Sequence, residues 1–135
     1  NKFSDLRHYI EVSFFAEAVA KLTENDKSRL QSLIVSARQK LEGSPIRIPH
    51  QEHRELHLEI FRRLDNPFVQ GLLEAYWEAY EAVELNVYTD INYLHRLWDY
   101  HTLIIDGIIN DDVESSIIAL VEHTELLNTR DTKND

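Results

Sequence analysis

The stretch INYLHRLWDYHTLIIDGIINDDVESSIIALVEHTELL, residues 91–127, decides the fold. Leu94, Leu97, Trp98, Ile104, Ile105 and Ile108 recur at three- and four-residue intervals, the period of a helix with one buried face. Asn110-Asp111-Asp112 breaks the pattern with residues suited to a turn. Ser116, Leu120, His123 and Leu127 then resume it. The segment predicts two antiparallel helices. One starts at Thr89 or Asp90 and reaches about Ile109; the other starts after Asn110 and runs to about Asn128.

The same period extends toward the N-terminus. Asn66 and Pro67 suit the cap and first position of a fourth helix, about Pro67 to Leu85. Its aromatics Tyr76, Trp77 and Tyr80 are expected in the core or on a dimer surface rather than as a pocket wall. Leu56, Ile60 and Leu64 share one face of a third helix, about His50 to Leu64. Leu30, Leu33, Ile34, Ala37 and Leu41 mark a second, opened by Thr23 with Asp26 as a capping-box partner and stopped by Gly43-Ser44-Pro45. Phe3, Leu6, Ile10, Phe14 and Ala18 trace the stripe of a first helix from Ser4 to Leu22. No strand-like alternation competes. The expectation is all-α: a single antiparallel helical bundle of about six helices over residues 1–128, followed by a polar tail at 129–135.

Composition narrows the function. With 135 residues the chain is one domain with room for a core, and three Gly and three Pro favour long helices. The absence of Cys and Met leaves imidazole and carboxylate as ligands for any transition metal. A formal net charge of −10 argues against phosphate contact by this segment itself. No apolar run is long enough for a membrane span and no secretory leader is visible, so a soluble, cytoplasmic protein is expected. The opening Asn1-Lys2-Phe3 runs almost directly into a helical pattern, as a piece of a longer protein would.

Four histidines stand out. His53 and His57 are one helical turn apart and extend the line through Ile60 and Leu64. His101 lies in the middle of the most apolar face of the fifth helix, and His123 follows 22 residues later on the sixth. Counted from the turn near Asp111, these two differ in depth by two or three residues, within side-chain reach at about 1.5 Å per residue. Two readings stay open at this point: one metal ion shared by four inward rings, or four core histidines each with its own hydrogen-bond partner. His8, His50 and His95 lie off these faces and are expected at the surface or at helix ends.

The chain resembles a known family. Arg7-His8-Tyr9-Ile10-Glu11 is similar to the Arg-x-x-Leu-Glu opening of the FCD-type effector-binding C-terminal domain of GntR-family bacterial transcription regulators, in the FadR/VanR branch. Leu56-His57 followed by Asp65-Asn66-Pro67, and Tyr100-His101 followed by Asp111-Asp112 and Glu122-His123, match that family's order and spacing. The resemblance covers about residues 4–127. It implies a metal site of an Asp and three His, carried here by His57, His101 and His123, with His53 standing where the family has Asp. An all-imidazole site suits zinc first and nickel second, and is less suited to hard cations.

The resemblance further implies a sensor that binds a divalent metal and a small organic carboxylate. It implies no enzymatic activity, a homodimer, and DNA binding only through a winged-helix domain N-terminal to residue 1. Arg7 is then the effector anchor, because guanidinium pairs with carboxylate in a fork. Arg7 lies on the inward stripe with Phe3, Ile10 and Phe14, and its competing reading is an i, i+4 pair with Glu11. The alternative function is a helical-bundle metalloenzyme, a metal-dependent hydrolase or oxygen-binding protein. Against it, the residues three before His57 and His101 are Arg54 and Trp98, not the Glu of a di-iron motif.

Overall fold

The computed structural model describes residues 2–84 and 90–133, with the backbone alone at 81–84 and 127–133. Among the described residues there are six helices and no strand: α1 (Lys2–Ala20), α2 (Glu24–Leu41), α3 (His50–Ile60), α4 (Pro67–Glu84), α5 (Ile91–Ile109) and α6 (Val113–Lys133). The fold is the expected all-α bundle. The expected helix ends at Leu85 and Thr89, and Leu127 as a stripe residue, lie outside the described residues or side chains. No described helix is long and apolar enough to cross a membrane.

Helix ends follow local chemistry. The Thr23 hydroxyl accepts from Asp26 N at 3.1 Å, and the Asp26 carboxylate accepts from Thr23 N at 2.9 Å, closing the capping box. Asn66 Oδ1 accepts from the backbone N–H groups of Phe68 and Val69, so Pro67 occupies a position that has no donor to lose. The Asp90 side chain caps α5 by accepting from Asn92 N at 2.8 Å.

Two boundaries differ from expectation. α3 ends at Ile60 rather than Leu64, because the chain tightens into short turns before Pro67. Gln70 Nε2 on α4 donates to the carbonyls of Arg62 at 3.0 Å and Leu64 at 2.8 Å, which the helix end would leave open. Phe61 and Leu64 remain in the core despite leaving the helix. α6 continues to Lys133, beyond the expected end near Asn128.

α5 packs most extensively on α6 and also lies against α2, which in turn contacts α3; α1 packs on α3, α4 and α6. Phe3 packs against Tyr76 of α4, and Phe15 against Phe61 at the end of α3. Leu30, Leu41, Leu56, Trp98, Ile104, Ile105 and Ile108 fill the centre. The hairpin between α5 and α6 closes through Asp111, whose φ of 56° is a left-handed conformation that Asp tolerates.

Gly107 is where these two helices meet most closely. A Cβ there would lie 2.1 Å from Ser116 Oγ and 2.8 Å from Asp112 O. Ser116 Oγ is not free to move aside, since it donates to Ile104 O at 2.6 Å. Gly107→Ala is therefore expected to destabilise the domain by about 1–3 kcal/mol, through overpacking, read as a lower urea midpoint.

The stripe of α1 departs from expectation. Its buried residues are Arg7, Glu11, Phe15 and Ala18, while Phe3 and Leu6 are exposed and Ile10 and Phe14 only partly covered. Arg7 is buried, as its place on the inward stripe predicts, and Glu11, which the apolar pattern does not include, is buried beside it and bonds His57.

Candidate metal centre

Three helices supply the four imidazoles. His53 and His57 stand one turn apart on α3, His101 is at mid-length on α5, and His123 faces it from α6 across the hairpin. The rings converge as their spacing suggested: each of the four residues offers a ligand atom, and these atoms all lie within 4.8 Å of one another. His101 and His123 have no exposure, His57 has 2% and His53 has 6%. The His101 and His123 ring centroids are 4.5 Å apart, and those of His53 and His101 are 4.7 Å apart.

Hydrogen bonds decide which nitrogen each ring presents. His101 Nδ1 lies 2.8 Å from Leu97 O, a carbonyl that can only accept, so this nitrogen carries the proton. His57 Nδ1 lies 2.6 Å from Glu11 Oε2, and the carboxylate imposes the same tautomer. When both rings are neutral, each turns a bare Nε2 toward the other, at 2.9 Å. Two bare lone pairs at that distance in a dry interior repel, and a cation between or beside them removes the repulsion.

The remaining nitrogens strengthen this point. Both ring nitrogens of His123, and Nε2 of His53, are buried without a hydrogen-bond partner. Leaving such groups unsatisfied is costly. Burial, first, and then the neighbouring imidazoles and Arg7 push His53 well below the ordinary imidazole pKa. Burial, followed by His101 and His57, does the same for His123. His101 is lowered by burial and by His57, against the opposing bond to Leu97. These rings are neutral at neutral pH and offer lone pairs. An orphaned, neutral, convergent donor set fits a borderline transition metal.

Aromatic rings wall the cluster. Trp77 lies 4.8 Å from both His53 and His57, Tyr80 lies 5.6 Å from His53, and Trp98 lies 4.9 Å from His101. Tyr76 and Trp77 are core residues, as expected, but Trp77 and Tyr80 also form the site wall that the sequence reading did not assign to them. A cleft of about 10 Å³, lined by Pro49, Tyr80, Tyr93 and Trp98, reaches His53.

Arg7 is buried at 3% exposure and donates from Nη1 to Glu11 Oε1 at 2.7 Å. The i, i+4 pairing is therefore present. Its guanidinium also lies over the rings of Tyr76 at 4.8 Å and Trp77 at 5.6 Å, while Nε has no partner. Burial raises the pKa of Glu11, but attraction and hydrogen bonds from His57 and Arg7 outweigh it and hold the carboxyl below its ordinary range. Glu11, which the sequence offered only as the i, i+4 partner of Arg7, also bonds a histidine of the cluster. The available signal was an ion pair in step with Phe15 and Ala18.

The other histidines stay apart from the cluster. His8 is half-buried with Nδ1 2.8 Å from the Thr124 hydroxyl, His50 heads α3, and His95 is half-buried on α5.

The fold and the site define an all-α bundle that encloses a cluster of four histidines. The FCD domain model matches residues 3–126, and the chain belongs to the FCD family, the C-terminal effector-binding domain of GntR-family regulators. FCD domains are known to bind metals, and DNA is bound by a separate domain of these regulators. No curated protein and no solved structure gives a significant match.

Proposed function

We propose that this domain senses a small organic carboxylate through a divalent metal, zinc or nickel, held by His53, His57, His101 and His123. The observation that carries the reading is the set of orphaned imidazole nitrogens enclosed with the facing Nε2 atoms of His57 and His101. When bound, the metal would supply a cationic centre for an anionic ligand. Burial keeps His53, His101 and His123 neutral and Arg7 balances Glu11, so a divalent ion would keep most of its charge in a dry site. An organic anion is the natural complement to that charge.

Arg7 is the second anchor in this reading. One guanidinium has five N–H donors, so Nη1 can hold Glu11 while the unpartnered Nε serves a ligand carboxylate. Trp77 Nε1, also buried without a partner, is a second donor on the same wall. The cleft at His53 has room for about one water, so an acid of several atoms requires the aromatic wall to part. Such a ligand favours a different arrangement of the bundle, which is what a sensor needs to bias an attached DNA-binding domain. Phe68 and Leu72, exposed one turn apart on α4, would suit a homodimer face.

Thermal melting of the metal-loaded domain with a panel of di- and tricarboxylates tests the reading. At saturation the effective acid is expected to raise the Tm by about 5 °C. Arg7→Lys keeps the charge that Glu11 needs but loses the fork, and should remove most of that rise. No shift across a broad carboxylate panel would sink the sensor mechanism.

A further inference from the structure

We infer that Glu11 is a positioning residue of the metal centre: from a different helix it sets the tautomer and orientation of His57. The inference rests on the metal-binding reading above. Glu11 has 1% exposure, and both of its oxygens are committed. Oε1 accepts from Arg7 Nη1 at 2.7 Å, and Oε2 accepts from His57 Nδ1 at 2.6 Å. Arg7 alone balances the carboxylate charge, so charge neutrality does not require the second bond.

What that bond accomplishes is geometric. With Nδ1–H tied to Glu11, the His57 ring is held with Nε2 bare and aimed at His101 Nε2, 2.9 Å away. His101 obtains the same orientation from a carbonyl of its own helix. His57 obtains it from a charged side chain 46 positions away in sequence, so α1 is keyed to α3 through the metal ligand itself. A carboxylate on the outer nitrogen also raises the basicity of the inner one. Arg7 lies over Tyr76 and Trp77, and this clamps Glu11 in place. Two consecutive hydrogen bonds thereby join the proposed effector anchor to a metal ligand, through Glu11.

Glu11→Gln is the direct test. An amide oxygen can accept from only one of the two donors, and the amide NH₂ must then confront the other. Zinc affinity is measured by competition with a chromophoric chelator, and the Co²⁺-substituted absorption spectrum reports ligand geometry. We expect affinity to fall by about 10–100-fold, with an altered cobalt spectrum. Melting of the metal-free protein separates the structural cost. Unchanged affinity and spectrum beside a lowered metal-free Tm would reduce Glu11 to a structural partner of Arg7 and overturn the inference.

Long-range ¹H–¹⁵N NMR of wild-type protein answers the same question without relying on a variant to fold. His57 in the Nδ1–H tautomer supports the inference, and an Nε2–H tautomer overturns it. Failure of wild-type protein to bind zinc would remove the metal reading and the inference together. Normal zinc binding with an indifferent Glu11→Gln removes the inference alone.

Discussion

Replacing His57 and His101 together by alanine is expected to abolish divalent-metal binding. Metal analysis of dialysed wild-type protein should find about one ion per chain, and the double variant far less. The Nε2 atoms of these two rings face each other at 2.9 Å, each with its Nδ1 proton committed elsewhere. No other pair of donors in the cluster has its lone pairs so firmly aimed. Loss of an outer-shell partner costs about 10–100-fold in affinity, and loss of two ligands should exceed that range. Circular dichroism must show the variant still helical. Removing two buried imidazoles that repel one another need not destabilise the metal-free bundle. Metal retained at the wild-type level by a folded double variant would refute the site.

Acid should unfold the metal-free domain sooner than its helical content suggests. The folded-state pKa values of His53, His101 and His123 lie well below 6.5, chiefly through burial. Below that pH the unfolded chain takes up protons that the folded chain does not. The sign is therefore fixed: stability is fully present above about pH 6.5 and is lost as pH falls toward the lower folded-state values. With three such rings the slope can approach three protons, or about 4 kcal/mol per pH unit at its limit. Urea denaturation of chelator-treated protein between about pH 7.5 and 5.5 reads this directly. A midpoint that holds or rises on acidification would contradict the buried, neutral state of the rings. Metal loading should steepen the loss, because protons and metal compete for the same lone pairs.

Much of the architecture was legible before any coordinates. Thr23 with Asp26 and Asn66 with Pro67 each announced a helix start and make the expected side-chain bond, and Asp90, one of two starts read for α5, caps it. Capping is local chemistry, set within three or four residues, so sequence suffices. The end of α3 was not legible in the same way. The carbonyls of Arg62 and Leu64, in the turn that follows it, are satisfied by Gln70, which belongs to the next helix. The α1 stripe was right for Arg7 but misled at Leu6 and Glu11: apolar periodicity selected Leu6, which is exposed, whereas His57 on α3 draws Glu11 inward.

By itself the sequence determined the helical class, the turn at Asn110–Asp112 and the four histidines as a set, because periodicity, capping and residue type are properties of short segments. Spacing on α3, and the 22-residue interval across the hairpin, brought the rings onto facing surfaces. Only the tertiary structure decided that all four ligand atoms come within 4.8 Å of one another, that Trp77 walls them, and that Glu11 reaches His57. Those contacts join α1, α3, α4, α5 and α6, and their distances depend on how the helices pack. No pattern within a single helix encodes them.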